Sequence, residues 1–81
     1  MTALELAETS DVLPLLTIEE AARLLRIGRS LAYELARRYL ASGGRFGLPV
    51  IRIGSCLRVP RWALMELIHT GHVVTLTSVV A

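Results

Sequence analysis

The sequence predicts a mainly α-helical domain with one small β-hairpin, on three observations. Two short amphipathic stretches flank a tight turn containing Gly28, two β-branched segments flank Gly54-Ser55-Cys56, and a proline-led apolar stretch follows them. A chain of 81 residues has room for one domain and a modest core, because so short a polymer buries only a little over ~60% of its unfolded surface. Self-association would add stability to a fold this small. Hydrophobic residues make up 53% and charged residues 20%, the balance of a globular chain rather than a disordered one.

Residues 1–16 contain Glu5, Glu8 and Asp11 and lose helical pattern at Ser10, Asp11 and Pro14, so they are read as an acidic N-terminal extension. Thr17-Ile18-Glu19-Glu20 has the form of a capping box and starts the first helix. Ile18, Ala21, Ala22, Leu24 and Leu25 form its apolar stripe, with Glu19, Glu20, Arg23 and Arg26 outside it. Arg26-Ile27-Gly28 breaks the pattern, and the glycine is the residue expected to take a positive φ.

The second helix is predicted from about Arg29 to Leu40. At ~100° per residue its wheel divides in two. Leu31, Ala32, Leu35, Ala36, Tyr39 and Leu40 occupy the half that packs on the first helix, and Arg29, Ser30, Tyr33, Glu34, Arg37 and Arg38 the other. Ala41 to Pro49 holds three glycines and a proline in nine residues and is a loop. Val50 to Ile53 and Leu57 to Val59 then form the hairpin. With a three-residue loop, Ile53 faces Leu57, Arg52 faces Arg58, and both arginines project from one side. Pro60-Arg61-Trp62 opens a last helix through about His69, with Trp62 assigned to the core and Gly71 as its stop. The domain is thus placed at residues 17–70. The uncharged tail, residues 71–81, is β-prone and has three fates open to it: a strand of its own fold, pairing with another copy, or fraying.

The charges are segregated. Residues 1–20 hold five acids and no base, whereas residues 21–61 hold all nine bases against Glu34 alone, so that block carries +8. Such asymmetry marks a polyanion-binding face with an acidic extension. Every base is arginine, which suits bidentate contact with phosphates and guanine edges, although a G+C-rich genome would also replace lysine. The single Cys56 excludes an intramolecular disulfide framework and suits a reducing compartment. With no secretory leader pattern and no apolar run of roughly 18 residues, a cytoplasmic bacterial protein is expected, without membrane attachment. His69 and His72 are interrupted by Gly71 and are not assigned a metal, and no cofactor is expected. There is no glycine-rich phosphate loop, nucleophile motif or convergent set of carboxylates, which points away from an enzyme.

Helix, tight turn, helix, glycine-rich loop, arginine-bearing hairpin and helix is the order of a winged helix-turn-helix, whose second helix enters the major groove of double-stranded DNA. "LTIEEAARLLRIGRSLAYEL" and "LPVIRIGSCLRVPRWALMELI" together resemble the MerR-like helix-turn-helix domain of the excisionase family over residues 15–69. That family pairs an "LT.eEAA.lL" first helix with an "sr.tvY" second helix, then a "lP..riG...rv.r..l..wi" hairpin and closing helix. The resemblance implies that Arg29, Ser30, Tyr33, Glu34 and Arg37 lie on the DNA-reading face, with Arg38 at its edge, and Arg52, Ser55 and Arg58 on the wing. It also implies one of two roles: an excisionase that bends DNA to assist an integrase, often binding adjacent sites cooperatively, or a small transcriptional regulator. A protein-interaction module, suggested by the acidic extension and the tail, is the reading from another class. The sequence departs from the family where Gly28 replaces the usual serine or threonine cap, where the loop Ser42 to Leu48 is long, and where the wing tip lacks basic residues. Glu34 has two open roles, accepting from a cytosine amino group or pairing with Arg38. Tyr33 likewise either packs on sugar or a thymine methyl, or covers the edge of the core.

Overall fold

The computed structural model describes residues 13–76. Its elements run β1 (Leu15–Leu16), α1 (Ile18–Leu25), α2 (Arg29–Ala41), β2 (Ile51–Ile53), β3 (Cys56–Pro60) and α3 (Arg61–Thr70). Three helices with an antiparallel hairpin make the mainly helical winged helix-turn-helix that the sequence predicts.

The capping box closes as expected. The Thr17 hydroxyl oxygen accepts from the Glu20 N–H at 3.0 Å, and the Thr17 N–H donates to Glu20 Oε1 at 2.9 Å. Ile18, Ala21 and Ala22 carry α1 into the core, while Leu24 leaves the expected stripe and stands exposed. The turn differs from expectation in one backbone detail. Arg26, not Gly28, takes the positive φ, at 59°, and its N–H turns back to the carbonyls of Ala22 and Arg23. The left-handed residue has to close α1. Gly28 instead opens α2 at φ −73° and ψ 157°, the extended geometry of an N-cap, without a side chain to complete the cap.

In α2 the buried arc is Ala32, Ala36 and Tyr39, at spacings of four and three. Leu31 lies one residue off that arc and is exposed, so the packing half of the wheel is narrower than predicted. The following loop is organised by Ser42, whose hydroxyl donates to the Tyr39 carbonyl and accepts the N–H groups of Arg45 and Phe46. Gly47 then passes against α2 at φ +100°, where a Cβ would stand 2.2 Å from the Leu35 carbonyl oxygen. That approach lets the Leu48 N–H donate to the same carbonyl at 3.1 Å and puts Leu48, Pro49 and Val50 in the core.

The sheet has the order β1-β3-β2. Leu15 and Leu16, assigned by sequence to the N-terminal extension, pair antiparallel with Pro60 and Val59. Leu16 is 2% exposed, and the Pro14 carbonyl accepts the Arg61 N–H at 2.8 Å, so burial and hydrogen bonding draw these residues into the domain. Residues 1–12 of the extension lie outside the described part of the chain.

The hairpin register also corrects the sequence reading. Ile51 faces Arg58, Arg52 faces Leu57 and Ile53 faces Cys56, leaving a two-residue loop, Gly54-Ser55, with Gly54 at φ 62°. Cross-strand partners share a face and neighbours alternate, so Ile51, Ile53, Cys56 and Arg58 share one face and Arg52 and Leu57 the other. Arg52 and Arg58 therefore project from opposite faces. Shortening the loop by one residue is enough to invert their relation.

α3 buries Ala63 and Leu64 and ends at Gly71, whose φ of 77° closes the helix. Trp62, expected in the core, is 59% exposed. Helical spacing puts it on a ridge with the exposed Glu66 and His69, four and seven residues on, away from the buried pair. Residues 71–76 of the tail form no strand but dock on their own domain. The buried Tyr39 donates its hydroxyl to the Val74 carbonyl at 2.7 Å and accepts the Leu76 N–H at 2.8 Å, and Thr75 Oγ1 donates to the Gly44 carbonyl at 3.0 Å. The expectations for residues 77–81 fall outside the described residues.

Two substitutions test this packing by urea denaturation. Gly47→Ala is expected to cost more than about 2 kcal/mol, since it combines positive φ with a backbone clash. Tyr39→Phe is expected to cost about 1 to 3 kcal/mol and to expose the Leu76 amide to hydrogen exchange, because it strands two tail groups.

Candidate nucleic-acid interface

The outer face of α2 follows from its wheel. Arg29, Ser30, Glu34, Arg37 and Arg38 are exposed, and Tyr33 is half-buried. Arg29, Ser30, Tyr33 and Arg37 line an open depression of about 400 Å³. Among the described residues, the Arg37 and Ser30 side chains have no hydrogen-bond or ion-pair partner. Glu34 and Arg38 form an exposed i, i+4 ion pair at 2.9 Å, an interaction of a few tenths of a kcal/mol. In the free protein Glu34 is thus Arg38's helix partner.

Tyr33 and Arg29 do not stand alone. The Tyr33 hydroxyl donates to Glu19 Oε2 at 2.8 Å, Arg29 Nε lies 3.3 Å from the same oxygen, and the Arg29 guanidinium carbon sits 5.5 Å from the centre of the Tyr33 ring. Glu19 belongs to α1, and the sequence reading placed it only outside that helix's apolar stripe. Its partners lie 10 and 14 residues away, and helix crossing alone brings them together. The one signal available was that Glu20 is engaged in the capping box, which leaves the neighbouring acid unassigned.

The arrangement shifts both titrations. The Tyr33 hydrogen bond, then a backbone hydrogen bond, hold the Glu19 carboxyl below its ordinary 4.5 against an opposing desolvation, with weaker help from the nearby Arg29 and Arg23. Donation to Glu19, with desolvation, pushes the Tyr33 phenol above its ordinary 10.0, against the opposing pull of Arg29. Tyr33 therefore stays a neutral donor across the physiological range.

On the wing, Ser55 is exposed, Arg58 is half-buried with Nη1 donating to the Leu57 carbonyl at 2.8 Å, and Arg52 is exposed on the opposite face. Ser55, Cys56, Leu57 and Arg58 line a cleft of about 280 Å³ whose other wall is Thr17, Ile18, Glu19 and Tyr33. The structure therefore brings Ser55 and Arg58 beside Tyr33 of α2 and leaves Arg52 outside the cleft. Tyr33 borders both this cleft and the depression on α2.

Among the described residues no group of three or more histidines, cysteines or acids is placed to hold a metal, and no helix is long and apolar enough to cross a membrane.

A family model described as a helix-turn-helix domain matches residues 15–72, and the chain belongs to that family. Membership indicates DNA binding, and the family is typically non-enzymatic. No curated protein and no solved structure matches the chain.

The Glu19 contact has a defined pH window. A depressed carboxyl contributes stability that is present above pH 4.5 and is lost as pH falls through the folded value. A raised phenol contributes stability that is present below pH 10.0 and is lost as pH rises through its folded value. NMR titration is expected to place the Glu19 carboxyl below 4.5 and to show it moving up toward that value in Tyr33→Phe, whose largest stabilising partner is gone.

Proposed function

We propose that the protein binds duplex DNA in a sequence-specific way, with α2 in the major groove and the wing on the neighbouring backbone, and that it serves as an excisionase. The observation that carries the DNA contact is the open face of Arg29, Ser30, Tyr33 and Arg37 on the second helix of a helix-turn-helix domain. In such domains the first turns of that helix meet base edges. Among the described residues Arg37 has no ion pair to break on reaching a phosphate or a guanine, where a good bidentate contact discriminates by about 1 to 3 kcal/mol. The exposed Glu34–Arg38 pair is weak enough to exchange for a cytosine amino group and a phosphate. One arginine on each face of the hairpin suits a wing flanked by the two backbones of a minor groove. The excisionase assignment is supported by the motif resemblance across both helices and the hairpin. Gripping consecutive grooves with a helix and a wing is a geometry that favours bending, and an integrase bound nearby is the partner it would serve. Cooperative binding of neighbouring copies belongs to the same reading.

Binding is expected to fall linearly with salt on logarithmic axes. If Arg29, Arg37, Arg38, Arg52 and Arg58 each meet a phosphate, the slope is about −4.5, from ~0.9 per contact. Arg37→Ala reduces the slope by about 1 if it meets phosphate, or relaxes one base pair by about 1 to 3 kcal/mol if it meets a guanine. Circular-permutation mobility on a bound fragment is expected to show a bend. A bound but straight fragment would favour a transcriptional regulator, and no duplex binding across a genomic fragment library would leave the protein-interaction reading.

A further inference from the structure

We propose that Glu19, which lies on α1 and outside the recognition helix, is a positioning residue that sets the base preference of α2 by holding Tyr33 and Arg29 in one arrangement. The inference rests on the DNA-binding reading and deepens it.

A single carboxylate oxygen, Glu19 Oε2, accepts the Tyr33 hydroxyl at 2.8 Å and lies 3.3 Å from Arg29 Nε, while the guanidinium sits against the Tyr33 ring. The three contacts close a triangle, so two long side chains have given up much of their rotamer freedom before DNA arrives. Which nitrogen is engaged matters. A guanidinium has five N–H donors, and contact through Nε leaves the terminal Nη pair available for a bidentate contact with guanine O6 and N7 or with a phosphate. Glu19 thus orients Arg29 without consuming its recognition edge.

Glu19 is itself well placed to be rigid. It sits in the first turn of α1, where a carboxylate is favoured by the helix dipole, and its neighbour Glu20 and Thr17 pin that turn through the capping box. The two adjacent acids divide the work: Glu20 closes the helix start and Glu19 reaches α2. Because Tyr33 also borders the cleft to Ser55 and Arg58, fixing its ring fixes the boundary between helix and wing.

The positioning role has a sign opposite to simple electrostatics. A carboxylate near DNA is repelled by phosphate, so an acid with no positioning role would, on removal, strengthen binding to every sequence alike. A positioning acid instead loses selectivity when removed, even where overall affinity rises.

The test uses the full chain. The wild-type protein first enriches a preferred site from a randomised duplex library. Wild type, Glu19→Ala, Glu19→Gln and Tyr33→Phe are then titrated, at one fixed salt concentration, against that site, its single-base variants and unrelated duplex, with thermal melting of each protein alongside. Glu19→Ala is expected to lose about tenfold or more in discrimination at one base pair, with binding to unrelated DNA unchanged or stronger. Tyr33→Phe is expected to lose selectivity at the same base pair. Glu19→Gln, whose amide oxygen still accepts from Tyr33, is expected to retain part of the discrimination, and as the near-isosteric change it decides the matter if Glu19→Ala does not fold. Equal strengthening on all sequences, or a lowered melting temperature with an unchanged specificity ratio, would overturn the inference alone. Enrichment of no sequence by the wild type would overturn the sequence-specific reading and the inference with it.

Discussion

The close approach of α1 and α2 is the constraint on which the rest of the structure depends. Ala21 and Ala22 on one helix and Ala32 and Ala36 on the other are all buried at 4% exposure or less. Alanine adds no bulk beyond Cβ, so the two backbones can pack with little between them. A leucine at Ala32 or Ala36 would have to push α1 away or leave its rotamer, and overpacking of that kind has no compensating space in a core this small. The approach does more than stabilise. It carries Glu19 to Tyr33 and Arg29, and so it decides how the outer face of α2 is dressed.

The far end of α2 is held by a different device. Tyr39 is fully buried as a ring yet uses its hydroxyl as both donor and acceptor to two backbone groups of the tail. A buried phenol without those partners would be costly, so the tail and the helix end require each other. Gly47 and Leu48 dock the intervening loop on the Leu35 carbonyl, and the chain emerges from the core at Val50 directly into the wing. Helix α2 is therefore anchored near both ends, through Glu19 at its start and Tyr39 near its finish, while its outer side stays exposed.

The surface chemistry follows from that scaffold. The ion pairs at the outer face of α2, Arg29 with Glu19 and Arg38 with Glu34, are exposed and contribute little to folding. The Glu34–Arg38 pair can open at small cost, whereas Arg29 meets Glu19 through Nε rather than through its terminal nitrogens. Stability resides in the core the two helices share, the small sheet and the tyrosine-bound tail, and the arginines of α2 stay at the surface.

By itself the sequence determined what depends on neighbours one turn apart. The Thr17–Glu20 capping box, the span of α2, the glycine stop at Gly71 and the concentration of arginine between residues 21 and 61 all rest on local geometry or simple counting. Most outward side chains of α2 were legible because helical spacing groups them, although Leu31 also faces out. Only the tertiary structure decided the matters that require distant segments to meet. Leu15 and Leu16 became a strand because β3 offered an edge, and Trp62 stayed outside because Ala63 and Leu64 filled the available core. Arg52 and Arg58 were separated by a hairpin register that one loop residue controls. Glu19 was joined to α2 by a helix crossing. These outcomes are set by competition for one small core and one short sheet, and no spacing along the chain records which residues win it.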